Sequence, residues 1–198
     1  LAEVLILLPA AGASSRMRGR DKLLEPVDGV PVLRRQVIAA LATGAPVMVT
    51  LPQGAGAGRA SALAGLAVRI AGIDADEGMA GSLRAGAAAA DQAGARGLMV
   101  LLPDMPGITA GDLLHLLAAF DQAPERVLRA SAPDGTAGHP VIFPARLLPA
   151  LGAVQGDAGG CAVIAGESVR TCTLEGDRAI LDLDTPEDWA AWRARTGL

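Results

Sequence analysis

Val4-Leu5-Ile6-Leu7-Leu8-Pro9-Ala10-Ala11-Gly12-Ala13-Ser14-Ser15-Arg16-Met17, followed shortly by Lys22, is the stretch that decides the fold. Val4–Leu8 is an unbroken apolar run, which is how a short strand buried on both faces reads. Pro9 and the small residues after it read as a loop. Small residues let a backbone come close to a base or a phosphate and leave N–H groups free to donate. Arg16 and Lys22 add the positive charge that a polyphosphate requires. Ligands of open α/β sheets gather beyond the carboxyl ends of the strands, so a loop of this kind directly after a strand is a candidate site.

Outward from that stretch, strand and helix patterns alternate. Val32, Leu33, Val37, Ile38 and Leu41 have helical spacing within Pro31 to Ala42. Pro46–Leu51 is a further strand, ending in Gly54-Ala55-Gly56-Ala57-Gly58. The pattern then predicts a helix over Ala60–Leu66, a strand over Val68–Ile73, a helix over Gly81–Ala93, a strand over Leu98–Leu102 and a helix from Thr109 to Phe120. Such alternation implies an α/β protein with a mostly parallel sheet and helices on both faces. From 127 to 175 the rhythm changes, with strands expected at Val127–Ala130, Val141–Phe143 and Val169–Leu174 and short helices at Leu147–Leu151 and Gly160–Ala165. This stretch is expected to form a second half of the molecule, with a lobe-like character of its own. A strand over Ala179–Leu183 and a helix over Pro186–Arg195 complete the reading.

Composition narrows the function classes. A chain of 198 residues with 51% hydrophobic residues fits one domain with ample core material. Aromatics are only 2%, so the core must be built from Ala, Val, Leu and Ile, which suits thin helices on a parallel sheet. Few stacking side chains and a net charge of −4 argue against nucleic-acid binding. No apolar run approaches the ~20 residues that span a bilayer. Cys161 and Cys172 lack metal-ligand spacing, and reduced thiols are expected, with a cytoplasmic location. The apolar opening has no basic leader and runs straight into a loop, so a strand is expected there, not a signal peptide.

Two more segments carry chemistry. Asp104 lies between Pro103 and Pro106 at the end of an apolar strand, where buried backbone meets solvent. Asp182 and Asp184 alternate, which puts them on one side of an extended segment, ahead of a helix opened by Thr185-Pro186-Glu187. Magnesium takes one or two protein carboxylates and leaves its other positions to phosphates and water. Asp104 with Asp182 therefore makes a metal site if the fold joins the two segments. Each residue also has a plainer reading: a turn or cap for Asp104, a solvated edge for Asp182 and Asp184, surface cations for Arg16 and Lys22, a turn for His139.

Together these segments resemble the MobA/MocA-like nucleotidyltransferases, most closely the molybdenum cofactor cytidylyltransferase branch. The first loop matches that family's pattern of small residues, Arg16-Met17 and a following lysine. Gly78-Met79-Ala80-Gly81-Ser82-Leu83-Arg84-Ala85-Gly86, Asp104-Met105-Pro106, Gly138-His139-Pro140-Val141, Gly156-Asp157-Ala158-Gly159-Gly160 and Asp182-Leu183-Asp184-Thr185-Pro186-Glu187-Asp188 follow in the family's order. The resemblance implies a three-layer α/β/α, Rossmann-like domain of the nucleotide-diphospho-sugar transferase type. Residues up to about 125 would form a nucleotide-binding half and the rest an acceptor-side half. It also implies roles: Ala10, Ala11, Gly12 and Ser82 for the nucleotide, Arg16 and Lys22 for the triphosphate, Asp104 with Asp182 and Asp184 for Mg²⁺, His139 for the acceptor. Ala11, where the guanylyl branch tends to carry glycine, favours CTP over GTP. The implied acceptor is a small phosphorylated molecule such as molybdopterin, and the implied partners are molybdoenzyme maturation proteins.

Pro9, Arg18 and Cys161 depart from that pattern, replacing an aliphatic residue, a glycine and an arginine in turn. Two other functions compete. Gly54-Ala55-Gly56-Ala57-Gly58 suggests a dinucleotide-binding oxidoreductase, but the fingerprint needs glycine where Arg59 stands. A non-catalytic nucleotide-binding module would keep the cations and release no pyrophosphate.

Overall fold

The computed structural model describes residues 3–54, 56–156 and 159–198. In chain order the strands are β1 (Val4–Pro9), β2 (Pro26–Val27), β3 (Val30–Pro31), β4 (Val47–Pro52), β5 (Arg69–Ile73), β6 (Gly97–Val100), β7 (Val127–Ser131), β8 (Ala137–Pro144) and β9 (Val169–Thr173). The helices are α1 (Val32–Leu41), α2 (Ala57–Ala62), α3 (Gly78–Gln92), α4 (Ala110–Asp121), α5 (Leu148–Gly152), α6 (Gly159–Ile164) and α7 (Pro186–Thr196). Among the described residues the main sheet has seven strands in the order β5-β4-β1-β6-β8-β7-β9, with β2 and β3 as a separate hairpin. Neighbours run parallel except at β8, which is antiparallel to β6 and β7.

β1 shows why its sequence reads as continuous hydrophobic. Val4, Ile6 and Leu8 face the layer of α1, α4 and α7, while Leu5 and Leu7 face that of α3 and α5. Each such side chain, removed from water, contributes about 1.5–3 kcal/mol. With helices on both faces, neither side of the strand has room for polar alternation. The helices are thin as the composition requires. The buried face of α3 is Ala80, Leu83, Gly86, Ala87 and Ala90. A Cβ on Gly86 would stand 2.6 Å from the Leu7 Cδ2, so the missing side chain lets α3 sink onto β1.

Capping chemistry sets the helix starts. Thr109 accepts from the Asp112 N–H while Asp112 accepts from the Thr109 N–H, and Thr185 and Asp188 repeat the box ahead of α7. α7 buries Trp189 and Trp192, packed edge to face with centroids 6.0 Å apart. Among the described residues no helix is long and apolar enough to cross a membrane.

The three-layer, mostly parallel α/β/α architecture is the expected one. Strands β7, β8 and β9 belong to the same main sheet. One local reading differs. Residues 179–183, expected as a strand, are turn and irregular backbone, because the Asp177 carbonyl takes the N–H groups of Ile180 and Leu181. The chain winds from β1 out through β4 to β5 and then returns to β6 on the other side of β1. That reversal opens a crevice at the carboxyl ends of β1 and β6.

Candidate active site

The loop leaving β1 forms one wall of the crevice. Ser14 and Arg18 both hold left-handed backbone, with φ of 51° and 53°. Arg18 thus stands in a conformation that suits glycine, the residue the resembling family carries there. Met17 is fully buried and anchors the loop, whereas Gly12, Ala13, Ser15 and Arg16 are exposed. The loop is bound from behind by Arg59, which is 5% exposed. Its Nη1 donates to the carbonyls of Ala10 (2.6 Å) and Gly12 (2.8 Å), its Nη2 to the Ser14 Oγ (3.1 Å) and Asp21 Oδ1 (2.8 Å), and its Nε to Asp21 Oδ2 (2.7 Å). Burial works against the Asp21 charge, but Arg59, the Leu23 N–H and Ser14 outweigh it and hold the carboxyl below its ordinary value.

Asp104, 7% exposed, projects from the loop after β6. The carboxylates of Asp182 and Asp184 reach it through a backbone bond between the two segments: the Leu183 N–H donates to the Asp104 carbonyl at 3.1 Å. One oxygen from each of the three carboxylates lies within 4.8 Å of the others. Lys22, placed by the turn at Lys22–Leu24, donates to Asp104 and, at 2.7 Å, to Asp184, while Arg16 pairs with Asp184 at 2.8 Å. Burial disfavours the ammonium, but the charge and hydrogen bond of Asp104, with Asp184, raise Lys22 above the usual lysine value. Burial first, then the charges of Asp184 and Asp104, raise Asp182 above the usual carboxylate value.

This donor set fits a hard divalent cation. The ligands are oxygens only, as magnesium or manganese prefers. The Asp104 Oδ1 is buried without a hydrogen-bond partner, an arrangement that costs free energy unless something positive binds there. The Lys22 ammonium already shows that the carboxylates accept a cation between them.

Two cavities of about 230 Å³ each share the side chains of Met79 and Leu102 as a common wall. The first holds the carboxylates, Arg16 and Lys22, with Ala11, Gly12 and Ser82 on its sides. The second is mostly apolar, lined by Leu83, Val100, Val141, Phe143 and Ile164 among others, with Arg129, His139 and Cys161 as its polar members. Burial, followed by the nearby Arg129 charge, pushes the His139 pKa down to about 4 against the pull of Asp104, so the imidazole is neutral at pH 7. The His139 N–H donates to the Ala179 carbonyl at 2.7 Å. A Cβ on Gly138 would fall 1.8 Å from that same oxygen. Only glycine lets the carboxylate-bearing turn dock against β8.

The structure brings together Ala11, Gly12, Arg16, Lys22, Ser82, Asp104, Asp182 and Asp184, and sets His139 in the adjoining cavity. Ala10 is buried, its N–H bonded to the Thr50 carbonyl and its carbonyl to Arg59. The Ser82 Oγ accepts from the Thr50 Oγ1 at 2.8 Å. Asp157 and Ala158 of the motif at 156–160, and Ala55 of the glycine-rich stretch, lie outside the described residues. Sequence reasoning missed Arg59, which figured only as the residue that spoils a dinucleotide fingerprint. A lone cation just after a glycine-rich turn was its single signal. Arg129 was missed too, with no motif around it; its Nε donates to the Gly138 carbonyl at 2.8 Å.

Comparison with known proteins gives the same answer as the geometry. No curated protein matches the chain. Among solved structures, Rv0371c from Mycobacterium tuberculosis H37Rv is 25% identical, with a TM-score of 0.80 and coverage of 96% of this chain and 98% of that one. Its complex with manganese gives 25% identity, a TM-score of 0.78 and coverage of 96% and 97%. CMP:2-keto-3-deoxy-manno-octonic acid synthetase complexed with CTP, at 17% identity, shares the fold, with a TM-score of 0.76 and 99% of each chain covered. Residues 5–172 match the family described as the MobA-like NTP transferase domain. That match takes in the first loop, Asp104 and His139, the parts that meet at the switch in the sheet, and the chain belongs to this family of nucleotidyltransferases.

Proposed function

We propose that this nucleotidyltransferase moves CMP from CTP to the phosphate of a small acceptor, molybdopterin or a molecule like it, and releases pyrophosphate. The observation that carries the reading is the shared wall between a charged cavity and an apolar one. A triphosphate suits the first, with its carboxylates and cations. The second suits an acceptor with a flat or apolar body.

In the proposed reaction an acceptor phosphate oxygen attacks the α-phosphorus. A new P–O bond forms there, and the bond to the bridging oxygen breaks, its electrons leaving with pyrophosphate. A phosphate monoester has a second pKa near ~6 and is largely a dianion at pH 7, so no side chain need remove a proton. Neutral His139 is then free to accept or donate a hydrogen bond to the acceptor without competing for charge. Arg16 and Lys22 neutralise the phosphate oxygens, and the protein's task is positioning and charge compensation. Asp104, Asp182 and Asp184 would hold Mg²⁺, which supplies Lewis-acid neutralisation of the reacting phosphates when bound. Molybdoenzyme maturation proteins in the cytoplasm would receive the product.

A thermal-shift panel of CTP, GTP, ATP and UTP with Mg²⁺ tests the base, because a ligand that binds only the native state stabilises it logarithmically with concentration. CTP is expected to give the largest shift; a larger one with GTP assigns the chain to guanylyl transfer. Pyrophosphate release that stays at background with a molybdopterin acceptor and every NTP overturns the catalytic reading in favour of a nucleotide-binding module.

A further inference from the structure

Arg59 carries a role that neither the sequence pattern nor the site chemistry assigns. All five N–H donors of its guanidinium are spent inside the protein, on the Ala10 and Gly12 carbonyls, the Ser14 hydroxyl and both oxygens of Asp21. None remains for a phosphate. The arginine is therefore no ligand-binding cation of the ordinary kind, although it lies directly behind the loop that walls the charged cavity.

Its partners show what it does there. A trans peptide points its N–H opposite to its C=O. Arg59 draws the carbonyls of Ala10 and Gly12 to the rear, so the N–H groups of the same peptide units, those of Ala11 and Ala13, are turned the other way. An N–H facing the charged cavity, which Ala11 lines, attracts an anion, whereas a carbonyl facing that side would repel phosphate. The bidentate pair with Asp21 ties the start of the turn that carries Lys22 to the same guanidinium. The loop needs such a clasp. Ser14 and Arg18 sit in left-handed backbone without being glycine, and most of the loop is exposed. Gly58, whose Cβ would come within 2.9 Å of the Leu24 Cδ1, lets the first turn of α2 approach closely enough for Arg59 to reach.

We propose that Arg59 is a positioning residue for the nucleoside triphosphate, setting NTP affinity by holding the loop's carbonyls away from the phosphates without touching the ligand. The proposal rests on the nucleotide-transfer reading above. It separates nucleotide affinity from the metal cluster, which other bonds assemble: Leu183 to Asp104, and Lys22 to Asp104 and Asp184.

The test is Arg59→Lys, which keeps the charge and loses the fork, and Asp21→Asn, which weakens the same clasp from the other end. CTP affinity by isothermal titration, Mn²⁺ affinity of the nucleotide-free protein by electron paramagnetic resonance, KM for CTP, kcat and thermal stability are measured on each. In Arg59→Lys the CTP Kd and KM are expected to rise at least about tenfold, while kcat stays within about threefold and Mn²⁺ affinity within about twofold. Asp21→Asn is expected to move the same quantities in the same direction by less. Millimolar methylguanidinium is expected to restore CTP affinity to Arg59→Ala. A folded Arg59→Lys protein with wild-type CTP Kd overturns the proposal, and so does a parallel loss of Mn²⁺ and CTP affinity. Should Arg59→Lys not fold, Asp21→Asn decides by the same criteria. Wild-type protein that binds no NTP overturns the nucleotide reading itself; wild-type binding with unchanged variants overturns only the role of Arg59.

Discussion

The two cavities on either side of Met79 and Leu102 have equal volumes and opposite chemistry. The charged one draws most of its loop from one short run, residues 9–23, and adds carboxylates from two later segments. The apolar one is assembled from α3, β6, β7, β8 and α6, and its polar residues come singly. A phosphate-binding site needs backbone in a particular shape, which neighbouring residues build together. A pocket for an apolar body needs only non-polar walls, which any set of strands and helices can contribute. On the proposed reading, the nucleotide side is organised around one local loop, whereas the acceptor side is assembled from scattered elements.

The sharpest way to break that division is at Asp104. Asp104→Ala removes the buried carboxylate and its unpartnered oxygen, and turnover is expected to fall on the order of a thousandfold, corresponding to the loss of several kcal/mol of charge stabilisation. Pyrophosphate release and circular dichroism together check it: near-normal activity sinks the metal assignment. Gly138→Ala attacks the seam that joins the cavities. With its Cβ 1.8 Å from the Ala179 carbonyl, the turn bearing Asp182 must shift, at a cost of about 3 kcal/mol in stability and with weaker Mn²⁺ binding. Denaturant unfolding and a metal titration measure both.

His139 sharpens the acceptor side through pH. Its folded pKa of about 4 lies below the unfolded value near 6.5, so the unfolded chain binds the proton more readily. The stability associated with the neutral ring is fully present above about pH 6.5 and is lost as pH falls towards 4, by on the order of 1.4 kcal/mol per unit. His139→Gln should flatten that part of the stability profile; an unchanged slope shows that other groups cause it. Arg129→Ala is expected to raise the acceptor KM about tenfold and leave CTP affinity as it was, since its guanidinium lines the second cavity alone. The smallest effect belongs to Arg18→Gly. Relief of the left-handed backbone, less the exposed Arg18–Glu187 pair, should stabilise the protein by about 0.5–1 kcal/mol, a rise in Tm of a few degrees.

Legibility in the sequence follows contiguity along the chain, on either side of that division. β1 and its loop were readable because their pattern is contiguous: an apolar run, small residues, two cations. Asp104 stood out between prolines at a strand end. Asp182 and Asp184 were found by alternation, yet the strand invoked for them is a turn, and the Leu183 bond to the Asp104 carbonyl brings them in. Arg59 was opaque because its four partner residues lie between 38 and 49 positions away along the chain, and no local pattern encodes such a clasp. The β2–β3 hairpin had a readable signal that went unused: Asp28-Gly29 with φ of 51° and 74° is the turn chemistry of a two-residue connection. Arg129 and most of the apolar lining carry no sequence mark, since a valine beside a ligand looks like any other core valine.

In the main sheet, among the described residues, β8 alone runs against both of its neighbours, and its direction has a consequence for the crevice. Because β8 travels backwards, its beginning, not its end, arrives at the carboxyl-end side of β6, and the turn at 132–136 feeds it there. Lengthening that turn would change the rim of the crevice beside the start of β8 while leaving the loop after β1 untouched.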